Sequence, residues 1–150
     1  MKALLGKYPL LVTRLILGSI FVAASIDKIA QPEAFAKIIY NYQILPDSLI
    51  NIAALALPWL EAVLGLSIIA GIWLPGAAVL SNLLLATFFS TLLYNIARGL
   101  DVHCGCFSVE STGAPRTAWY LARDSLFLLL GVVFLIQVFR GKRQKQPTNR

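Results

Sequence analysis

The chain has 150 residues, of which 58% are hydrophobic and 13% charged, with a net charge of +6; an ordinary soluble domain is roughly a quarter charged. Membrane composition of this kind excludes a soluble globular enzyme, and 2 cysteines with 1 histidine offer three Cys/His ligands where a closed structural zinc site wants four.

The first element is an apolar span over residues 8 to 30. Lys2 and Lys7 ahead of it, with Val22-Ala23-Ala24 near its end, partly imitate a secretory signal. Arg14 interrupts the apolar region and three more spans follow, so this span is expected to stay in the membrane. After it, Pro32 suits a first helical position and Glu33 a first turn, while Phe35, Ile38, Ile39 and Tyr42 recur on one helical face. The pattern predicts a short amphipathic helix in the first outer loop, ending before Pro46. It either packs on the bundle or acts as a lid over whatever lies beneath the later cysteine loop.

Residues 62 to 97 carry no charge, far beyond the ~20 apolar residues that one spanning helix needs. Two spans share this region, at about 49–73 and 75–97, with the turn expected at Trp73-Leu74-Pro75-Gly76. Ala77, Ser81, Thr87 and Thr91 are expected to allow close helix approach and interhelical hydrogen bonds, together with Asn82 and Asn95. A fourth span covers about 117–139. The expected fold is therefore a single all-α domain over 1–150, a four-transmembrane-helix bundle. Ten-residue alternating segments of a membrane barrel are not seen.

Basic residues flank the outer spans: Lys2 and Lys7 at one end, Arg140, Lys142, Arg143, Lys145 and Arg150 at the other. By the positive-inside rule both termini are cytoplasmic, and an even number of spans agrees. The net charge thus points to lipid headgroups and not to nucleic acid. The loops around 28–48 and 98–116 then face outward.

The second outer loop holds both cysteines, in His103-Cys104-Gly105-Cys106-Phe107. An i, i+2 pair closes a very small disulfide ring, Gly105 supplies backbone freedom for it, and strained exposed disulfides are labile and oxidising. On an extracytoplasmic face such a pair lies where disulfides form and persist. A thiolate is the attacking species, favoured beside positive charge, and His103 either lowers the thiol pKa or moves its proton, or is a solvated loop residue. Metal binding by His103, Cys104 and Cys106 is the rival chemistry. Three ligands crowded on near-adjacent positions make a poor tetrahedron, so no metal is expected.

Ionisable residues inside apolar stretches are Arg14, Glu61, Arg123 and Asp124. Each costs about 2.5–3.5 kcal/mol at a helix centre and needs a partner. In one reading Glu61 pairs with Arg123 or Arg14 and fixes helix register. In the other Glu61 relays protons, while Arg123 holds a quinone carbonyl or steadies a thiolate.

Several sequence features occur together in a known order: Arg14 with Gly18 and Phe21; Asp27-Lys28-Ile29; Phe35; Asn41-Tyr42 with Leu45-Pro46; Leu57-Pro58-Trp59-Leu60-Glu61 with Gly65; Cys104-Gly105-Cys106-Phe107; and Arg123-Asp124. On these the chain, over about residues 9–135, resembles the MauE branch of the DoxX-like membrane proteins. It departs at Ser108, where the family pattern has glycine. The resemblance implies a multi-pass protein of the bacterial inner membrane associated with redox chemistry. In its named branch that chemistry supports disulfide formation in a maturing periplasmic dehydrogenase subunit needed for methylamine use. Relatives linked to thiosulfate oxidation imply quinone as an electron acceptor. The expected function is a membrane component of an extracytoplasmic thiol–disulfide relay, with a thioredoxin-like or client protein as partner. The alternatives are a non-catalytic assembly scaffold and a subunit of a thiosulfate:quinone oxidoreductase.

Overall fold

One residue, Gln31, separates the first two helices. Pro32 has no N–H to continue the ladder of the preceding helix and opens the next one instead. In the computed structural model, which describes residues 7–99 and 117–143, the elements are α1 (Lys7–Ala30), α2 (Pro32–Asn41), α3 (Asp47–Ala70), α4 (Leu74–Ala97) and α5 (Thr117–Arg143). No strand occurs among the described residues. Four helices are long and apolar enough to cross a membrane, at Tyr8–Ala30, Asp47–Ala70, Leu74–Ala97 and Trp119–Gly141. The protein is a four-helix membrane bundle with the short amphipathic α2 laid against it. Phe35 and Ile38 of α2 are buried against Ala54 and Leu57 of α3, while Tyr40 faces outward.

The turn between α3 and α4 lies earlier than the sequence pattern suggests. Gly71, at φ 79°, stops α3 in the left-handed conformation that favours glycine. The N–H groups of Gly71 and Ile72 both reach the Ser67 carbonyl, at 2.9 and 3.0 Å. Leu74-Pro75-Gly76 already belongs to α4. Pro75 thus serves as a helix starter and not as part of the break, and the second span closes at Ala70 instead of Trp73.

Helices pack as two close antiparallel pairs, α1 with α3 and α4 with α5. The first pair crosses at Gly18 and Gly65. A Cβ added to either glycine would lie 2.9 Å from the other's carbonyl oxygen, so the backbones approach as only small residues permit. In the second pair Asn82 donates to the Gly131 carbonyl at 2.9 Å and to Ala78 at 2.8 Å. The expected hydroxyl contacts between helices differ in detail: Ser81, Thr87 and Thr91 each donate back to a carbonyl of α4 itself. An in-helix carbonyl is the nearest acceptor for a short hydroxyl side chain. Thr13 and Gln137, 2.7 Å apart, tie α1 to α5.

The antiparallel order brings the C-termini of α1 and α4, the N-termini of α3 and α5, and α2 to one end of the bundle. Leu17, Ile68, Ala78 and Phe134 fill the core toward the other end.

Candidate functional site

Lys28 and Glu61 form the centre of the site. They are 2% and 4% exposed, and the Lys28 ammonium donates to both Glu61 carboxylate oxygens at 2.7 Å. Backbone direction explains how two residues at different heights meet. Counted from the Gly18–Gly65 crossing, Lys28 lies ten residues toward the α2 end and Glu61 four, a difference of roughly 9 Å at 1.5 Å per residue. Each Cα–Cβ bond leans toward its own helix N-terminus. In antiparallel neighbours Lys28 therefore leans inward and Glu61 outward, and their extended side chains close the gap. Pro58, one turn before Glu61 on α3, cannot donate a hydrogen bond to the Ala54 carbonyl.

Aromatic rings complete the ammonium's surroundings. Lys28 Nζ lies 5.1 Å from the Phe35 ring centre of α2 and 5.3 Å from that of Phe88 of α4. Both distances suit cation–π attraction. A buried ion pair is costly to desolvate and persists where its geometry is good and its hydrogen bonds are satisfied.

On α5 Arg123 and Asp124 form a second pair. The Arg123 Nε and Nη2 groups both donate to one Asp124 oxygen, at 3.1 and 3.0 Å. The guanidinium also lies near the rings of Tyr120 and Phe127, 5.3 and 5.9 Å from their centres. Tyr42, just after α2, is electrostatically coupled to this pair. Burial first, and the charge of Asp124 second, push its hydroxyl above the ordinary tyrosine range, while Arg123 opposes them.

Between the two ion pairs is a cavity of about 40 Å³ whose walls include Phe21, Lys28, Glu61, Phe88, Asp124 and Phe127. It has room for a few water molecules. A second cavity of about 200 Å³ lies under α2, walled by Phe35, Ile38, Tyr42, Leu57, Phe88 and Thr91 among others. Phe88 borders both.

Of the residues singled out in the sequence, Glu61, Arg123 and Asp124 are gathered at this end of the bundle. His103, Cys104 and Cys106 lie outside the described residues. Glu61 pairs with neither Arg123 nor Arg14. Arg123 holds Asp124, and Arg14 donates to the Ile68 and Ile69 carbonyls at the end of α3, at 3.0 and 2.9 Å. The residue that sequence reasoning missed is Lys28, which sits in the last turn of a span, where a lysine ordinarily snorkels to water. The available signal was the need of Glu61 for a cation, together with Gly18 and Gly65 as a register mark between antiparallel helices.

No group of three or more metal-ligating side chains exists among the described residues. The arrangement offers two buried carboxylates in the wall of a small, mostly apolar cavity, with a larger apolar cavity alongside.

The chain is 34% identical over 77% of its length to the methylamine utilization protein MauE of Paracoccus denitrificans, covering 61% of that protein. It is 33% identical over 79% of its length to the protein of that name from Methylorubrum extorquens, covering 65% of it. The chain thus spans less than two thirds of the length of these relatives. No solved structure matches it. The family model described as methylamine utilisation protein MauE matches residues 6–137. The chain belongs to the MauE family.

Proposed function

We propose that the protein is the membrane component of an extracytoplasmic thiol–disulfide relay. It supports disulfide formation in a periplasmic redox protein of methylamine utilisation, of the methylamine dehydrogenase type. Cys104 and Cys106 are the exchanging pair. Their disulfide accepts two electrons from a client or thioredoxin-like dithiol; the partner's disulfide forms, the Cys104–Cys106 bond breaks, and two protons pass to the resulting thiols. His103, beside Cys104, favours the thiolate or carries its proton. The α2 end of the bundle faces outward and both termini face the cytoplasm.

The observation that carries the reading is the position of the only two cysteines of a MauE family chain. They lie in the segment joining α4 to α5, and both of those helix ends lie at the end of the bundle that gathers the ion pairs. Glu61 and Asp124 are suited to proton traffic there because they share a cavity large enough for water.

Single-cysteine trapping tests it. In membranes carrying Cys104→Ser or Cys106→Ser, the remaining thiol is expected to accumulate a reductant-sensitive adduct with an extracytoplasmic protein. Absence of any adduct, with normal client maturation in the double serine variant, would leave a non-catalytic scaffold as the better description.

A further inference from the structure

Electron balance poses a question that the helices help to answer. Each cycle of the proposed relay leaves Cys104 and Cys106 reduced, and the chain contains 2 cysteines in all, so no second pair within it can take the electrons onward. For these 150 residues to reset the pair, an acceptor has to bind the bundle. It must take two electrons and two protons, and a bundle facing lipid on most sides favours one that travels in the bilayer.

We propose that the cavity of about 200 Å³ under α2 binds the ring of a membrane-soluble isoprenoid quinone, which reoxidises the pair; this rests on the relay reading. Its walls are apolar side chains and three aromatic rings, Phe35, Tyr42 and Phe88, which suit stacking against a planar ring. The cavity beside Glu61, at about 40 Å³, is too small for one. The polar content of the cavity under α2 is spare: its Thr87 and Thr91 hydroxyls already donate to Leu83 and Phe88 carbonyls at 2.8 Å.

The aromatic wall is also braced. The Phe35 and Phe88 rings that wall the cavity are the two rings against which the Lys28 ammonium lies. The Lys28–Glu61 ion pair therefore stands behind the aromatic wall and holds both rings in place from the side away from the cavity. The step balances: the two thiols lose two electrons and two protons and form an S–S bond, while both quinone carbonyls become hydroxyls. An acyl chain needs no aromatic wall.

The test uses the full chain in phosphatidylcholine nanodiscs free of quinone, with a photoreactive azidoquinone as label and decyl-ubiquinone as competitor. Labelling is expected on α2 or on the α4 stretch containing Thr87, Phe88 and Thr91, and decyl-ubiquinone should suppress it. Leu57→Trp, which fills the cavity, should weaken competition at least tenfold. Leu66→Trp, on the exposed face of α3, should leave it unchanged. Phe88→Leu keeps apolar bulk without the ring and should weaken it severalfold. Labelling elsewhere, equal suppression by added phospholipid, or indifference to both Leu57→Trp and Phe88→Leu would overturn the assignment. The Cys104→Ser/Cys106→Ser protein separates the two readings, since it should bind decyl-ubiquinone as tightly as the unaltered chain. If it does so while reduced wild-type protein is not oxidised by the quinone, the site stands and the relay falls. If it does not bind while trapped adducts form, the relay stands and the site falls.

Discussion

Arg14 of α1 closes the end of α3: its guanidinium lies over Gly71, in the space a Cβ would occupy, and donates to two of the last carbonyls of that helix. The positive charge meets the negative end of the α3 dipole, and the two hydrogen bonds satisfy groups that a helix terminus leaves open. Arg14→Met is expected to cost about 2–3 kcal/mol of stability, as for loss of hydrogen bonds to a charged donor. Arg14→Lys should recover less than half of it, because an ammonium lacks the planar fork that spans two carbonyls. Reversible unfolding in mixed micelles measures both.

Replacing one partner of the Lys28–Glu61 pair leaves the other charge buried. Lys28→Met and Glu61→Leu alone should each cost about 3–5 kcal/mol, and the double substitution clearly less than either. A double-mutant cycle on the same unfolding assay gives the coupling. Additive losses would show that the pair is not coupled as its geometry requires.

Gly18→Ala and Gly65→Ala should each be destabilising by about 1–3 kcal/mol through overpacking. The added methyl at Gly18 would meet Ile69 Cγ1 at 2.5 Å and the Gly65 carbonyl oxygen at 2.9 Å. The second of these is backbone and cannot swing aside. Gly141→Ala, with nothing within 4 Å of the new atom, is the matched control and should be neutral.

Tyr42 gives a pH dependence whose sign is fixed. Its folded-state pKa is raised, chiefly by burial, above the value of about 10 for an unfolded chain. The folded state therefore holds the phenol proton longer, and this contribution is fully present below pH 10 and declines as pH rises beyond it. Stability should fall more gently at high pH in Tyr42→Phe than in wild type. Ultraviolet titration should show one late-ionising tyrosine disappearing in that variant.

The redox potential of the cysteine pair gives a further check on the relay. A value well above about −300 mV is expected for an exchanging pair, whereas a structural disulfide lies below it. Titration with glutathione buffers in membranes, read by thiol alkylation, decides between them.

The helices were legible because their signals are local. Apolar length marks the four spans, and Pro32 with the spacing of Phe35, Ile38 and Tyr42 marks α2. The boundary at Gly71 was misplaced because Pro75 reads equally as a breaker or as a first-turn residue, and only the left-handed conformation at Gly71 resolves the two. Partners were harder. Glu61 visibly required a cation, but choosing among Arg14, Lys28 and Arg123 depends on helix register, which follows from the Gly18–Gly65 contact between residues 47 positions apart. Lys28 was hidden because a lysine at a span's end has an easy exit to water, and the rings of Phe35 and Phe88 closing over it remove that exit.

The glycine crossing also has a mechanical consequence. Arg14 fastens α1 to α3 on one side of it and Lys28 on the other, so this pair is riveted at three heights and resists sliding or twisting. Both cavities lie instead along the seam where α4 meets that rigid half. Toward the other end that seam is bridged by the Thr13–Gln137 contact and the shared core, so at the α2 end Phe88, which borders both cavities, is the side chain that fills the join between the two helix pairs.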